Sequence, residues 1–143
     1  IINLNCFNCG KNTGGDGVDL SNSDIFFENM LITNSSDKGL SIGENTNANI
    51  RNLTVKGSNV CVANKDGSYT KIFKAIFEKC KIGLAAFSKK SYYDSSSIQI
   101  ASIEFIENNQ NILRDENNKI VIGSFEHNDP KTIDQNILNK IYE

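Results

Sequence analysis

Asp37 to Val60 reads DKGLSIGENTNANIRNLTVKGSNV, and its apolar residues alternate in three short runs: Leu40 and Ile42, then Ile50, then Leu53 and Val55. Gly, Asn and Ser separate the runs. A period of two means strand, with one face turned inward and the other toward solvent. No sustained 3.6-residue stripe competes with that reading. Three strands this short cannot bury a face within one unit, so the unit must stack on copies of itself.

Copies lie on both sides. Opening strands align as Val18-Asp19-Leu20, Leu40-Ser41-Ile42, Val60-Cys61-Val62 and Leu84-Ala85-Ala86, with Gly17, Gly39, Asn59 and Gly83 just before them. Later positions align as Phe27, Ile50, Ile72 and Ile100; then Met30, Leu53, Ala75 and Ile103; then Ile32, Val55, Phe77 and Phe105. Ser35, Ser58, Cys80 and Asn108 close each unit, and Leu4, Cys6 and Cys9 continue the columns upstream. The period is roughly 22 to 28 residues, the range of solenoid repeats. Asn3, Asn29 and Asn52 then share a column in which side-chain amides can bond along the axis, until Lys74 and Ser102 interrupt it. Lys56 falls beside Glu78, Lys79 beside Glu107 and Lys38 beside Asp16. Opposite charges in adjacent rungs support the alignment.

GDGVDLS (Gly15 to Ser21), DKGLSIGE (Asp37 to Glu44) and the ΦxxΦxΦ runs resemble the right-handed parallel β-helix repeats of the carbohydrate-binding and sugar-hydrolysis type. The resemblance covers residues 1 to 125. It implies an all-β, single-stranded solenoid of about five coils. Families of this architecture include lyases, hydrolases, epimerases, adhesins and structural spikes, so fold alone does not select among them.

With 143 residues and 38% apolar content, the chain has the length of one domain. A net charge of −2 provides no basic field for nucleic acid. No apolar run reaches the length of a membrane span, and nothing resembles a signal peptide. The start at Ile1, inside an expected strand, suggests a portion of a longer chain whose earlier coils precede it. Residues 1–126 are assigned to the β-helix. Asp129-Pro130 can begin a helix, Thr132 and Gln135 have capping-box spacing, and Ile133, Ile137, Leu138 and Ile141 share one helical face. A short capping helix over 127–143, covering the open end of the stack, is therefore expected.

Four cysteines invite a zinc or redox reading through Cys6-Phe7-Asn8-Cys9, but Cys61 and Cys80 fall far apart in the alignment. All four are read as packing thiols, with a redox pair as the alternative. His127 has no catalytic neighbour at a meaningful spacing and is assigned a surface or capping role. No metal site and no cofactor are expected. Calcium is compatible with the carboxylates, yet the nonapeptide repeat of calcium-built β-rolls is missing. The Gly14-Gly15 pair lacks the rest of a phosphate loop and reads as a turn.

Charged groups collect around the opening strands. Asp16, Asp19, Asp37, Lys38 and Lys65 are the candidate catalytic residues. Paired carboxylates would hydrolyse a glycosidic bond; a base with cations would abstract the proton α to a uronate carboxylate. Asp16, Asp37, Glu44, Lys65 and Asp66 are candidate ligand contacts. Tyr92 and Tyr93 join them from SKKSYYDSSS (Ser88 to Ser97), an insertion too polar for a strand, where rings beside hydrogen-bonding groups can grip sugar faces. The leading expectation is an extracellular or envelope module that binds a polysaccharide as part of a larger protein. A polysaccharide lyase, epimerase or hydrolase is the first alternative, and a structural spacer or assembly unit joined to preceding coils is the second. The short stack, about 24 Å for five rungs, argues against catalysis.

Overall fold

The computed structural model describes residues 1–128, and twelve strands account for most of them. In chain order they are β1 (Asn3–Phe7), β2 (Val18–Ser21), β3 (Asp24–Thr33), β4 (Lys38–Gly43), β5 (Asn47–Lys56), β6 (Val60–Lys65), β7 (Tyr69–Glu78), β8 (Ile82–Phe87), β9 (Ser97–Ile106), β10 (Gln110–Arg114), β11 (Lys119–Ile122) and β12 (Phe125–Glu126). Odd-numbered strands through β11, with β12, form a seven-stranded sheet in the order β1-β3-β5-β7-β9-β11-β12. Even-numbered strands form a five-stranded sheet in the order β2-β4-β6-β8-β10. Strictly alternating membership is the mark of a coiling chain: a parallel β-solenoid of about five coils.

Pairing brings residues two dozen positions apart into contact. Met30, Leu53, Ala75 and Ile103 lie in one row, and Ile32, Val55, Phe77 and Phe105 in another. Phe27, Leu53, Ile72, Ile32 and Phe77 are all but fully buried. Each such side chain contributes roughly 1.5–3 kcal/mol through burial. Phe77 and Phe105 meet edge to face at 6.0 Å between centroids. The amide ladder forms as the spacing predicts: Asn52 Nδ2 donates to Asn29 Oδ1, and Asn29 Nδ2 to Asn3 Oδ1, each at 2.8 Å. Lys56 pairs with Glu78 at 2.8 Å and Lys79 with Glu107 at 3.7 Å. These exposed pairs contribute roughly a few tenths of a kcal/mol each.

The turns explain the asparagines. Asn8, Asn34, Gly57, Lys79 and Glu107 end successive strands of the larger sheet, all with φ between 53° and 69°. Asn tolerates this left-handed region better than other residues with a Cβ. At Gly57 a Cβ would also stand 2.8 Å from Asn34 Oδ1.

The third coil corrects the expected alignment. Leu40 pairs with Val62, not Val60, and Val62 pairs with Leu84. Val60 turns outward beside Lys38, while Cys61 and Val62 both face the interior; a run apolar at every position gave alternation no means of telling the two registers apart. In the true register Cys61, not Asn59, takes the place of Gly17, Gly39 and Gly83.

That shift accounts for the second correction. Cys61 and Cys80 form a disulfide with Cα atoms 5.7 Å apart, and Cys6 and Cys9 form another at 5.8 Å. The packing-thiol reading is therefore overturned. In neighbouring coils the same corner holds a glycine against a serine. A Cβ on Gly39 would lie 3.3 Å from Ser58 Oγ, and one on Gly17 would lie 2.4 Å from Ser35 Oγ. One coil substitutes a covalent bond for that close glycine–serine packing.

Beyond β9, Ile112 stacks on Leu84, and Ile120 and Ile122 on Ile98 and Ile100, forming the expected degraded coil. Antiparallel β12 then pairs with β11 and occupies the sheet edge. The capping helix assigned to 127–143 falls almost wholly outside the described residues. His127 and Asn128 have no regular structure, and His127 N donates to Ile120 O at 2.9 Å.

Candidate functional site

The charged candidates gather outside the five-stranded sheet and at its two margins, where they fall into separate groups. At the margin before β4, Lys38 Nζ lies 3.5 Å from Asp16 Oδ1 and also contacts Asp37 Oδ2. The Lys38 backbone N donates to Asp16 Oδ1 at 3.1 Å. Lys38 is only 5% exposed, so one ammonium serves two carboxylates in a nearly dry corner. One row further along β4, Lys65 lies across Gly43 and donates to Ser41 Oγ at 2.9 Å. Burial pushes the Lys65 ammonium below its ordinary pKa, and Asp19 opposes that shift.

At the other margin Glu44 accepts from Ser21 Oγ and from Lys90 Nζ. The Lys90 hydrogen bond is the main reason the Glu44 carboxyl sits below its usual range, with Ser21 second; the same bond raises Lys90. Asp66 is buried beneath the insertion, and its Oδ1 accepts from the backbone N of Lys89 and of Lys90, both at 2.7 Å. The far end is tied by Ser96, whose N and Oγ both donate to Asn118 Oδ1, at 2.6 and 2.7 Å. Between these ties the loop projects as expected, although Ser97 already belongs to β9. Tyr92 is 75% exposed, with its ring 4.8 Å from that of Tyr93. Lys90 lies 5.9 Å from the Tyr93 ring centre.

A different face holds the open groove. On the outside of the seven-stranded sheet Phe26, Asn49, Lys71, Gln99 and Val121 pair successively across five strands. Beside that row Arg51 and Phe73 occupy the bend where each long strand presents two outward residues in succession. Together these residues line a groove of about 450 Å³. Phe26 is 53% and Phe73 67% exposed, an unusual cost for large apolar side chains. Arg51 donates to Glu28 at 2.7 Å, and Lys71 stands 5.3 Å from the Tyr69 ring centre. Tyr69 pairs with Ser97, so the Tyr92–Tyr93 loop enters the sheet in the row bordering the groove.

None of Phe26, Asn49, Lys71, Phe73 or Gln99 was singled out from sequence. The available signal was an aromatic at an outward position, a place where the alternation calls for a polar residue.

These features define a short parallel β-helix, fastened by disulfides and carrying an open polar–aromatic groove. Residues 5–143 match the model of the NosD family, described as periplasmic copper-binding protein, and the chain belongs to that family. Comparison with curated proteins and with solved structures gives no significant match. The family's periplasmic description agrees with an envelope location, and disulfides persist in that compartment. Among the described residues no helix is long and apolar enough to cross a membrane.

Copper fits this chain poorly. Soft copper ions seek thiolate, thioether and imidazole. The whole sequence holds four cysteines, one methionine and one histidine. All four cysteines are in disulfides, Met30 is 2% exposed within the core, and no cluster of three metal-ligating residues occurs among the described residues.

Proposed function

We propose that this chain is an envelope β-helix module that binds a polysaccharide along the outside of its seven-stranded sheet. One observation carries the reading: Phe26 and Phe73 stand exposed around a groove whose other walls are Asn49, Arg51, Lys71 and Gln99. Aromatic faces accept the apolar faces of sugar rings, while amides and cations bond hydroxyls or carboxylates around the rim. Rungs repeat at about 4.8 Å, close to the length of one sugar residue, so a linear glycan could meet equivalent contacts at each step. Tyr92 and Tyr93 extend the aromatic margin from the neighbouring loop. The Asp16–Asp37–Lys38 cluster is occupied with its own ion pairs, which favours the groove over that surface as the contact face.

A glycan array followed by calorimetry on the purified protein tests this. Binding to at least one linear envelope or matrix polysaccharide is expected, weakened about tenfold or more by Phe26→Ala with Phe73→Ala. Absence of binding across the array, or binding indifferent to the double substitution, would overturn the assignment.

A further inference from the structure

Strand β7 runs Lys71-Ile72-Phe73-Lys74 across the middle of the groove face. Ile72 is buried and turns inward, Lys71 stands outward before it, and Phe73 and Lys74 both stand outward after it, at the bend. The exposed Phe73 ring therefore has a lysine on either side along the strand, the two up to about 10 Å apart. Lys71 and Phe73 line the groove, while Lys74 lines a smaller hollow of about 200 Å³ with Asn52. Both lysines interrupt rows of amides. Lys71 sits between Asn49 and Gln99, and Lys74 takes the place where the ladder of Asn3, Asn29 and Asn52 would have gained its next member.

Neither lysine is neutralised by the protein. On this sheet Arg51 pairs with Glu28, Lys56 with Glu78 and Lys119 with Glu126, whereas Lys71 and Lys74 form no ion pair among the described residues. Glu104, the carboxylate of β9, belongs to the row of Ile76 and not to that of either lysine. The groove lining includes Arg51 and Lys71 and no carboxylate. A chain of net charge −2 has no general attraction for polyanions, so this local excess of positive charge is a property of the face itself. Resting on the polysaccharide reading above, we infer that the glycan is anionic. A sugar ring seated on Phe73 meets Lys71 on one side and Lys74 on the other, so an acidic substituent finds a cation whichever way the ring is turned. Carboxylates and sulfate esters offer an ammonium the same charge, and both belong in the test.

Calorimetry on the whole protein with matched polymers supplies that test. Polygalacturonate and alginate are each compared with their carboxyl-reduced forms, and dextran sulfate with dextran. In at least one pair the charged member should bind about tenfold more tightly, the worth of two exposed ion pairs, and that pair names the acid. Lys71→Met with Lys74→Met should bring the two members to similar affinity, whereas Lys56→Met, which removes the partner of Glu78, should leave the preference intact. Equal binding of charged and neutral members, lost on Phe26→Ala with Phe73→Ala, would overturn the anionic assignment and leave the polysaccharide reading standing. A preference that survives the double lysine substitution would overturn it too, because the charge would then be read elsewhere. Binding of none of these polymers would also overturn it, with the glycan array deciding separately whether the groove takes any polysaccharide.

Discussion

The two outer faces of this solenoid share rung spacing and strand direction but differ in chemistry. Outside the seven-stranded sheet the row Asn49, Lys71 and Gln99 is flanked by exposed Phe26 and Phe73. Outside the five-stranded sheet the row Ser41, Ala63 and Ala85 is fully buried. Alternation reports only whether a side chain points into the coil. What distinguishes a wet face from a covered one is what stands at the outward positions, and small apolar residues there mean a partner surface. Binding is therefore expected on the first face and stability on the second.

The largest test acts at the corner joining the two sheets. Cys61 and Cys80 close a loop with a sequence separation of 19, so replacing both with serine should cost about 3 kcal/mol, read from the urea midpoint. Cys6 and Cys9 are only three residues apart, and the corresponding pair of substitutions should cost much less. Equal losses would show that loop closure is not what matters at this corner.

A direct comparison of the faces comes next. Ala85→Asp puts a carboxylate into the covered row beside Ala63 and Leu113 and should cost about 2–3 kcal/mol. Ala101→Asp, on the groove side and exposed, should stay within about 0.5 kcal/mol. Similar midpoints for the two would erase the distinction. Phe73→Ser sharpens it from the other side: its stability should also change by no more than about 0.5 kcal/mol, while glycan affinity falls about tenfold.

Most of the architecture was legible because period-two patterning and a stacking repeat act together. Met30, Leu53 and Ala75 line one wall, and Asn3, Asn29 and Asn52 bond in series, both as their spacing requires. The third coil was misaligned because Val60, Cys61 and Val62 are all apolar, so alternation could not show that Val60 faces outward while Cys61 and Val62 face in. That error hid the disulfide, since only the true register sets Cys61 where its neighbours carry glycine, across from the serine column that includes Cys80. The groove was missed for a different reason. Charged residues drew attention to the turns, but many of them neutralise one another, as Asp16, Lys38 and Asp37 do. Phe26 and Phe73 stand next to the inward Phe27 and Ile72, so alternation already turns them outward; they were passed over because the columns were built from inward residues alone. The dry face did leave a trace: β8 reads Ile82-Gly83-Leu84-Ala85-Ala86-Phe87, apolar on both parities.

The smallest effect lies at the margin between the two faces, where the insertion sets Tyr92 beside Tyr93. Its base is fixed by the buried Asp66 carboxylate and by Asn118, whereas its middle is held by the Glu44–Lys90 pair. Glu44 is lowered from an ordinary value of 4.5, so its contribution is complete above pH 4.5 and is lost as pH falls through the depressed value. Lys90 is raised from 10.5, so its contribution is complete below that pH and is lost as pH rises through the elevated value. Both groups are solvent-accessible, and screening keeps the effect on global stability slight. The loop should respond even so: as pH falls through the depressed Glu44 value, the NOE between the Lys90 side chain and the Tyr93 ring should fade. Lys90→Met should abolish that pH response in the Tyr93 ring resonances. If the ring keeps its response in the variant, the loop is positioned by its base alone, and its tyrosines owe nothing to the charged margin.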